Sequence, residues 1–499
     1  MNSQTEPAKD ASCADSARIY IKDLSVHIGE EVLIKGWVDV RRDQGKMIFF
    51  DFRDVTGRVQ GVILPPSKTA TGDVLARAVR VHEVGSKLRS EWVVAVNGRV
   101  NQRPERSIQK DKQNGNIELE ILDITVLNEA ETPAFDISGD GKEIGEEVRL
   151  KYRYIDLRRA RMQKNIINRH KALQFIRQFY TKEGFFEVET PNMTKSTPEG
   201  SRDFIIPSRL EQGKFYALPQ SPQQYKQLVM ASGFEKYFQI ARCFRDEDTR
   251  GDRQPEFTQV DIEMSFVTQE EVMAVNEKLI TELVKELYPD KKIQQLPFPR
   301  LSYKEAMEKY QSDKPDIRKD KADANLLAFC WVIDFPFFEK TDDKSASATG
   351  AGTSGWTFTH NPFSAPKPEY IADLLAKKNI GDIVAAQYDM VLNGSEIGGG
   401  GIRNHTPEAL KKVFEIMGYA PERIEKNFGH MLKALASGTP PHGGLAFGFD
   451  RLMMLLQNEP NIREVIPFAK TGEGKDLMMD SPSEVSAEQL RELGIKLSK

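Results

Sequence analysis

Two arginines in this chain sit on or beside short apolar runs in a way that suits them to holding phosphate. Arg245 follows ARCF at the start of a long polar stretch, RDEDTRGDRQPEF, and Arg451 lies in GLAFGFDRLMML. A guanidinium presents its donors as a rigid planar fork, so either arginine could clamp a phosphate in a fixed geometry. Glu247 stands two residues after Arg245, and on a strand the pair would share a face. One could pair with a phosphate while the other accepts a hydrogen bond from an amino group such as adenine N6. A surface ion-pair network accounts for the FRDE run equally well. For Arg451 the alternative is a salt bridge to Asp450 or a neighbour, weakened by Gly444 and Gly448, which leave room for backbone to approach a ligand.

A third arginine suits a carboxylate. Arg403 follows four glycines in NGSEIGGGGIR, where two parallel hydrogen bonds could grip an acidic ligand and reject uncharged relatives. A Gly-rich turn leading to a structural arginine is the other reading. Asp389 and Glu396 offer oxygen to Mg²⁺, a hard cation that bridges phosphates with few protein carboxylates. Cys13, Cys243 and Cys330 form no short-spaced pair and the histidines show no ligand spacing, so neither a disulfide framework nor a zinc site is expected. There is no G-x-x-x-x-G-K-[ST] loop and no strand-linked G-x-G-x-x-G.

These residues need elements to hold them. The chain has 499 residues, 39% hydrophobic and 29% charged, with a net charge of −4. That length implies two to four domains of a soluble globular protein. No run approaches the roughly 18–20 apolar residues of a membrane span and the opening lacks a signal pattern, so a cytoplasmic location without membrane partners is expected. Nucleic acid would have to be held by local patches. Residues 1–17 are polar and aperiodic, as in a disordered tail. From Glu31 the runs EVLIKGWVDVRR, MIFFDFRD, GRVQGVIL, WVVAVNGRV and NIELEILDITVLN read as five strands. With a helical stretch at Val74–Leu88 they imply an OB-type Greek-key barrel within residues 18–136. A Gly-rich connector, residues 137–150, forms a linker or hinge. Residues 151–499 alternate helices and strands, which predicts an α+β domain on an antiparallel sheet with flanking helices. The low-complexity stretch Asp343–Trp356 reads as a mobile surface loop.

Taken in order, the motifs resemble those of the class II aminoacyl-tRNA synthetases, and of that class the bacterial-type aspartyl enzymes. Ala241–Phe266 and Gly444–Leu455 stand as motifs two and three, and GFFEVETP (Gly184–Pro191) as motif one, which in this class forms a homodimer interface. The resemblance implies an aspartate–tRNA ligase using ATP and Mg²⁺, with L-aspartate and tRNA, but not DNA, as partners. It places Arg245, Asp246, Glu247, Arg253, Gln254, Phe257, Glu396, Gly448, Phe449, Asp450 and Arg451 around ATP. Among these, Arg253 meets the γ-phosphate and Phe257 the adenine, although Phe257 by itself would pass for a core residue. Arg245, Arg451 and Glu396 carry the catalysis. Aspartate falls to Glu199, Ser221, Gln223, Lys226, Arg245, Asp261, His360 and Arg403, with Glu199 in a lid segment, TPEG. Asn361 departs from the histidine often found after His360. Phe49, Gln60 and Glu118 match anticodon readers, although Phe49 alone would be read as core.

Gln44 and Arg106 match positions linked to discrimination between tRNAs. The Gln44 amide carries a donor and an acceptor and could satisfy either C or U at the third anticodon base, so charging of tRNA(Asn) beside tRNA(Asp) is expected. The inserted domain usual in bacterial-type enzymes is missing after SDKPDIR (Ser312–Arg318). The competing readings are an asparaginyl enzyme, against which Lys226 and Arg403 stand, and a non-catalytic RNA-binding paralogue, against which Arg245, Glu396 and Arg451 stand.

Overall fold

The computed structural model describes residues 17–67, 69, 71–196, 199–341 and 354–497. All of the expected tail but Ala17, Cys13, the first two residues of TPEG and most of the expected loop at 343–356 lie outside them. The end of that loop is ordered differently from expectation: Trp356–Phe358 pairs with Phe338–Lys340 as a short hairpin.

The chain divides into two compact units that meet between Asp136 and Ile137. The first is a closed barrel of β1 (Glu31–Gln44), β2 (Met47–Asp54), β3 (Gly57–Ile63), β4 (Val93–Gln102) and β5 (Ile117–Asn128), in the order β1-β2-β3-β5-β4. Alternation sends Ile48, Phe50 and Phe52 of β2 inward with Val96, Val100, Leu119 and Ile121, as the pleat requires. Helix α1 (Gly72–Lys87) lies between β3 and β4 in sequence, and Val81 buries against this core.

The second unit is built on eight strands: β6 (Phe186–Glu187), β7 (Lys236–Phe244), β8 (Glu256–Ser265), β9 (Arg300–Ser302), β10 (Phe329–Ile333), β11 (Gln387–Leu392), β12 (Ser395–Ile402) and β13 (His442–Gly448). Their order is β9-β10-β11-β12-β13-β8-β7-β6. The central pairs are antiparallel, as expected, but the two outermost, β9 with β10 and β6 with β7, are parallel. Both edge strands are too short to have signalled a direction in the sequence. Helices α2 (Ala160–Lys182), α3 (Gln223–Ala231), α4 (Gln269–Leu287), α5 (Pro407–Ile416), α6 (Pro421–Ala436) and α7 (Phe449–Leu456) surround the sheet. A Thr268–Glu271 capping box starts α4, satisfying two otherwise orphan amides.

Period-two alternation divides the labour of the sheet. Val260, Ile262 and Met264 of β8, Tyr388 and Met390 of β11 and Leu445 and Phe447 of β13 pack with α2, α4 and α7 in one core. The intervening residues Gln259, Asp261, Gln387, Asp389 and Ala446 line a cavity on the opposite face. One face thus supplies the stability and the other is left for chemistry.

The connector before α2 is not wholly irregular. Glu146–Lys151 is helical, and Arg149 joins buried Asp156 and Glu464 through paired hydrogen bonds of 2.7–3.0 Å. Burial opposes ionisation of Glu464, but the Arg149 and Arg161 guanidiniums outweigh it and hold the carboxyl down at about 2. These ion pairs tie the segment after α7 to the start of the domain, and Ile462, two residues before Glu464, lines the cavity.

Candidate active site

The cavity holds about 460 Å³. Of the residues assigned above to ATP, aspartate or Mg²⁺, all but Asp246 and Phe449 line it. Asp246 turns to Arg202, 3.4 Å away. Phe449 is fully buried in the core behind the sheet, with the Arg169 guanidinium over its ring; it is the first residue of α7, and its helical turn points it inward. Neither side chain borders the cavity.

At one end of the cavity two cations meet two carboxylates. Lys226 of α3 reaches Asp261 Oδ1 at 2.5 Å and Glu263 Oε2 at 3.3 Å. Arg403, just beyond β12, donates Nε to Glu263 Oε1 at 3.0 Å and Nη2 to Oε2 at 3.3 Å. All four are at least 97% buried. Burial raises Asp261, which Lys226 only partly offsets. Burial also works against Glu263, but Arg403 and then Lys226 outweigh it and hold its carboxyl below the ordinary range. Glu263 takes one edge of the Arg403 fork and leaves the Nη1–Nη2 end with hydrogens to donate to a second carboxylate.

The close approach of Glu263 requires Gly444: a Cβ there would stand 2.1 Å from Glu263 Oε2. The space at Gly444 therefore belongs to Glu263 and not, as expected, to a ligand, whereas Gly448 does border the cavity. Beside this cluster Ser221 Oγ donates to Glu199 Oε2 at 2.5 Å, and Asp261 Oδ2 has no hydrogen-bond partner among the described residues.

At the other end, Arg245 and Glu247 are not on a strand. β7 stops at Phe244, so the shared-face argument does not hold and the turn brings both to the cavity instead. The Arg245 guanidinium lies 5.1 Å above the Phe257 ring. Arg253 pairs with Glu247 at 3.3 Å. The Gln254 amide is occupied at both ends by the Lys470 backbone, at 2.8 and 3.2 Å, so its body and not its polar tip borders the cavity. Arg451 donates to the Glu396 carbonyl at 2.5 Å and to Asp252 at 3.0 Å; its ion-pair partner is Asp252 and not the adjacent Asp450. The Asp450 carboxylate is spent on Arg169 at 2.5 Å and the Thr258 amide at 2.8 Å, a supporting role for β8.

Asp389 and Glu396 come together across the β11–β12 hairpin, with Gly399 opposite Asp389 in register. A Cβ at Gly399 would stand 2.8 Å from Asp389 Oδ1, so part of the glycine run makes room for this carboxylate. Burial, and then repulsion from Glu396, raise Asp389. Burial opposes Glu396 as well, but Lys314 at 3.2 Å, Arg451 and His360 hold it below the ordinary range. His360 Nδ1 lies 3.8 Å from Asp389 Oδ2. No cluster of three or more potential metal ligands occurs among the described residues. Two carboxylates, one with a buried oxygen lacking a donor, would nevertheless suit a hard cation such as Mg²⁺, which takes few protein carboxylates.

On the barrel, Phe49 and Asp51 share the outer face of β2, with Asp51 opposite Gln60. Val62 opposite Glu120 carries that face on to Glu118. Phe49 is half-buried, whereas Ile48 and Phe50 beside it are core, so the core alternative for Phe49 is set aside. Gln60 and buried Arg103 border a second pocket of about 280 Å³, and Glu118 lies 4.0 Å from Arg103. Gln44 and Arg106 are exposed.

Sequence reasoning missed Glu263 and Lys314. Glu263 follows Asp261 by two on β8, so the strand period alone could have put it on the site face. Lys314 lies in SDKPDIR, and only the fold brings that segment to β12.

Residues 145–472 match the family of class II tRNA synthetases (D, K and N), and residues 32–127 the OB-fold nucleic acid binding domain. The aspartate–tRNA(Asp/Asn) ligase of Desulfatibacillum aliphaticivorans is 38% identical, with 94% of this chain and 96% of the relative covered. The aspartate–tRNA ligase of Staphylococcus saprophyticus is 37% identical, with 94% and 97% covered. The first alignment runs over 597 positions against the 499 residues here, so that relative carries stretches with no counterpart in this chain. The fold matches the aspartyl-tRNA synthetase of Entamoeba histolytica, with a TM-score of 0.69 at 21% identity over 93% of this chain and 94% of the other. It also matches the asparaginyl-tRNA synthetase of Pyrococcus horikoshii complexed with asparaginyl-adenylate, with a TM-score of 0.69 at 22% identity over 91% and 98%. With an OB barrel in one unit and, in the other, arginines and carboxylates gathered on one face of a largely antiparallel sheet, the chain belongs to the aspartate–tRNA ligase family of the class II tRNA synthetases.

Proposed function

We propose that the protein activates L-aspartate with ATP and transfers it to the 3′ end of tRNA(Asp) and also of tRNA(Asn). The observation that carries the activation step is the pairing of Glu263 with one edge of Arg403, which leaves the other end of a buried guanidinium for the aspartate side chain in the same cavity as Arg245 and Arg451. An uncharged amide would forgo the charge-assisted fork. The aspartate ammonium is taken by Glu199 and by the unpartnered oxygen of Asp261. Arg245 and Arg451 clamp the phosphates of a bent ATP, with Arg253 on the outermost phosphate and Phe257 against the base. The aspartate α-carboxylate then attacks the α-phosphorus, pyrophosphate leaves, and a ribose hydroxyl of the tRNA captures the adenylate. The site needs no protein nucleophile; positioning and charge neutralisation supply the acceleration. Asp389 and Glu396 hold Mg²⁺, which when bound neutralises charge on the phosphates, and His360 buttresses Asp389.

Phe49, Gln60 and Glu118 read the anticodon by stacking and edge contacts, and Gln44 and Arg106 set tolerance at its third base. Because a glutamine amide satisfies C or U, the ratio of kcat/KM for tRNA(Asp) over tRNA(Asn) should stay below about a hundredfold, the upper reach of one good base contact. A larger ratio in aminoacylation assays rejects the dual charging and leaves the activation step standing.

The working species is a cytoplasmic homodimer. Among the described residues no helix is long and apolar enough to cross a membrane. β6 lies at the sheet edge with Phe186 60% exposed beside Phe234 at 42%, an apolar edge suited to burial against a second copy. Light scattering should return twice the chain mass of 56.5 kDa; a stable, active monomer contradicts it.

A further inference from the structure

A line of buried polar groups runs from β13 to the aspartate end of the cavity. His442 Nδ1 lies 2.7 Å from the Pro440 carbonyl, His442 Nε2 lies 3.1 Å from Gln227 Nε2, and Gln223 Nε2 lies 3.1 Å from Gln227 Oε1. Asn361 Nδ2 is 3.5 Å from Gln223 Oε1, and Asn361 Oδ1 accepts from the Phe363 amide at 2.7 Å. His442, Gln227 and Gln223 are 0%, 1% and 3% exposed. Gln223 and Asn361 line the cavity; His442 and Gln227 do not.

Both ends of this line are backbone groups that can play one part only. A carbonyl accepts, so His442 Nδ1 carries a hydrogen. Burial keeps the ring neutral by lowering its pKa, so Nε2 accepts and Gln227 must turn its amino group to it. The Gln227 oxygen then faces Gln223, which must donate. From the other end, the Phe363 N–H claims the Asn361 oxygen and turns the Asn361 amino group toward Gln223. The two ends impose the same orientation on Gln223: amino group inward, oxygen toward the cavity. Reversing any one amide would set like groups against each other, at the cost of an unmade hydrogen bond among largely buried side chains.

We propose that His442 and Gln227 are positioning residues that lock the Gln223 oxygen toward the substrate ammonium, and so let the enzyme select an amino acid over the same dicarboxylate lacking its amino group. The 3.5 Å separation from Asn361 leaves that oxygen with capacity for a stronger donor. This inference rests on the aspartate-activating reading.

The test compares aspartate with succinate, which is aspartate without its ammonium, in ATP–pyrophosphate exchange. Gln227→Met keeps the volume and removes the acceptor that holds Gln223. The ratio of the succinate inhibition constant to the aspartate KM should fall about tenfold, the scale of a hydrogen bond to a charged group, through a raised aspartate KM with kcat and the KM for ATP nearly unchanged. His442→Asn, which keeps a donor for Pro440 and removes Nε2, should lower the ratio in the same direction and serves if Gln227→Met does not fold. An unchanged ratio, with aspartate and succinate weakened equally or not at all, overturns the proposal. Absence of aspartate-dependent exchange in the unaltered protein would instead reject the functional reading beneath it.

Discussion

Arg451→Ala should lower aspartate-dependent ATP–pyrophosphate exchange by about 10²–10³-fold, the loss that follows removal of one preorganised donor to a developing charge. The structure makes this a clean substitution. Arg451 is the third residue of α7; its described bonds are to the Glu396 carbonyl and to half-exposed Asp252. Nη1 and Nη2 each make one described hydrogen bond and carry a second hydrogen, so donor capacity remains for a phosphate. The Asp252 pair is a surface contact worth about 1 kcal/mol or less. The melting temperature should therefore move little while exchange collapses. One second-order effect is expected: Arg451 is the second cation, after Lys314, that holds Glu396 in its ionised form, so its loss also weakens the carboxylate proposed to hold Mg²⁺. Exchange near the unaltered rate would remove Arg451 from the catalytic set.

Arg403→Leu should impair use of aspartate far more than binding of ATP. Loss of one partner from a buried, hydrogen-bonded charge pair costs about 2–5 kcal/mol, which is a fall in kcat/KM for aspartate of roughly thirtyfold to several thousandfold. Here the structure adds a consequence that the sequence did not carry. Glu263 is fully buried and depends on Arg403 first and Lys226 second, so the leucine also strands a carboxylate and should lower stability. Arg403→Lys separates the two effects. It returns a charge to Glu263 but cannot offer one edge to Glu263 and a two-pronged end to the substrate. Stability should recover in the lysine variant while aspartate use stays impaired, with ATP affinity by calorimetry unchanged in both. Unaltered kcat and KM for aspartate in either variant would contradict the assignment of Arg403.

Much of this site was legible in the chain because it is written in strand periodicity and in rigid side-chain chemistry. Period-two alternation on β8 and β11 separates the residues that build the core from those that face the cavity, and it does so within a few residues of one another. Arginine forks beside glycine runs are candidates for anion binding from their chemistry alone, and the fold brings Arg403 and Arg451 to one cavity. The barrel was readable for the same reason, since each strand carries its own pattern and its own turn.

What only the tertiary structure decided is who holds whom. Arg245 leaves its strand at Phe244, Phe449 turns inward, Gln254 is spent on Lys470 and Asp450 on Arg169 and β8. Glu263 takes the room at Gly444, and Lys314 arrives at Glu396 from 82 positions away in the chain. The orientation of Gln223 is settled by Pro440 and Phe363, which come from opposite sides of it. A side chain's type and its place on a strand are local properties, decided by sterics and period. Its hydrogen-bond partner is a non-local one, because a buried donor must be met by whichever acceptor the fold brings within about 3 Å.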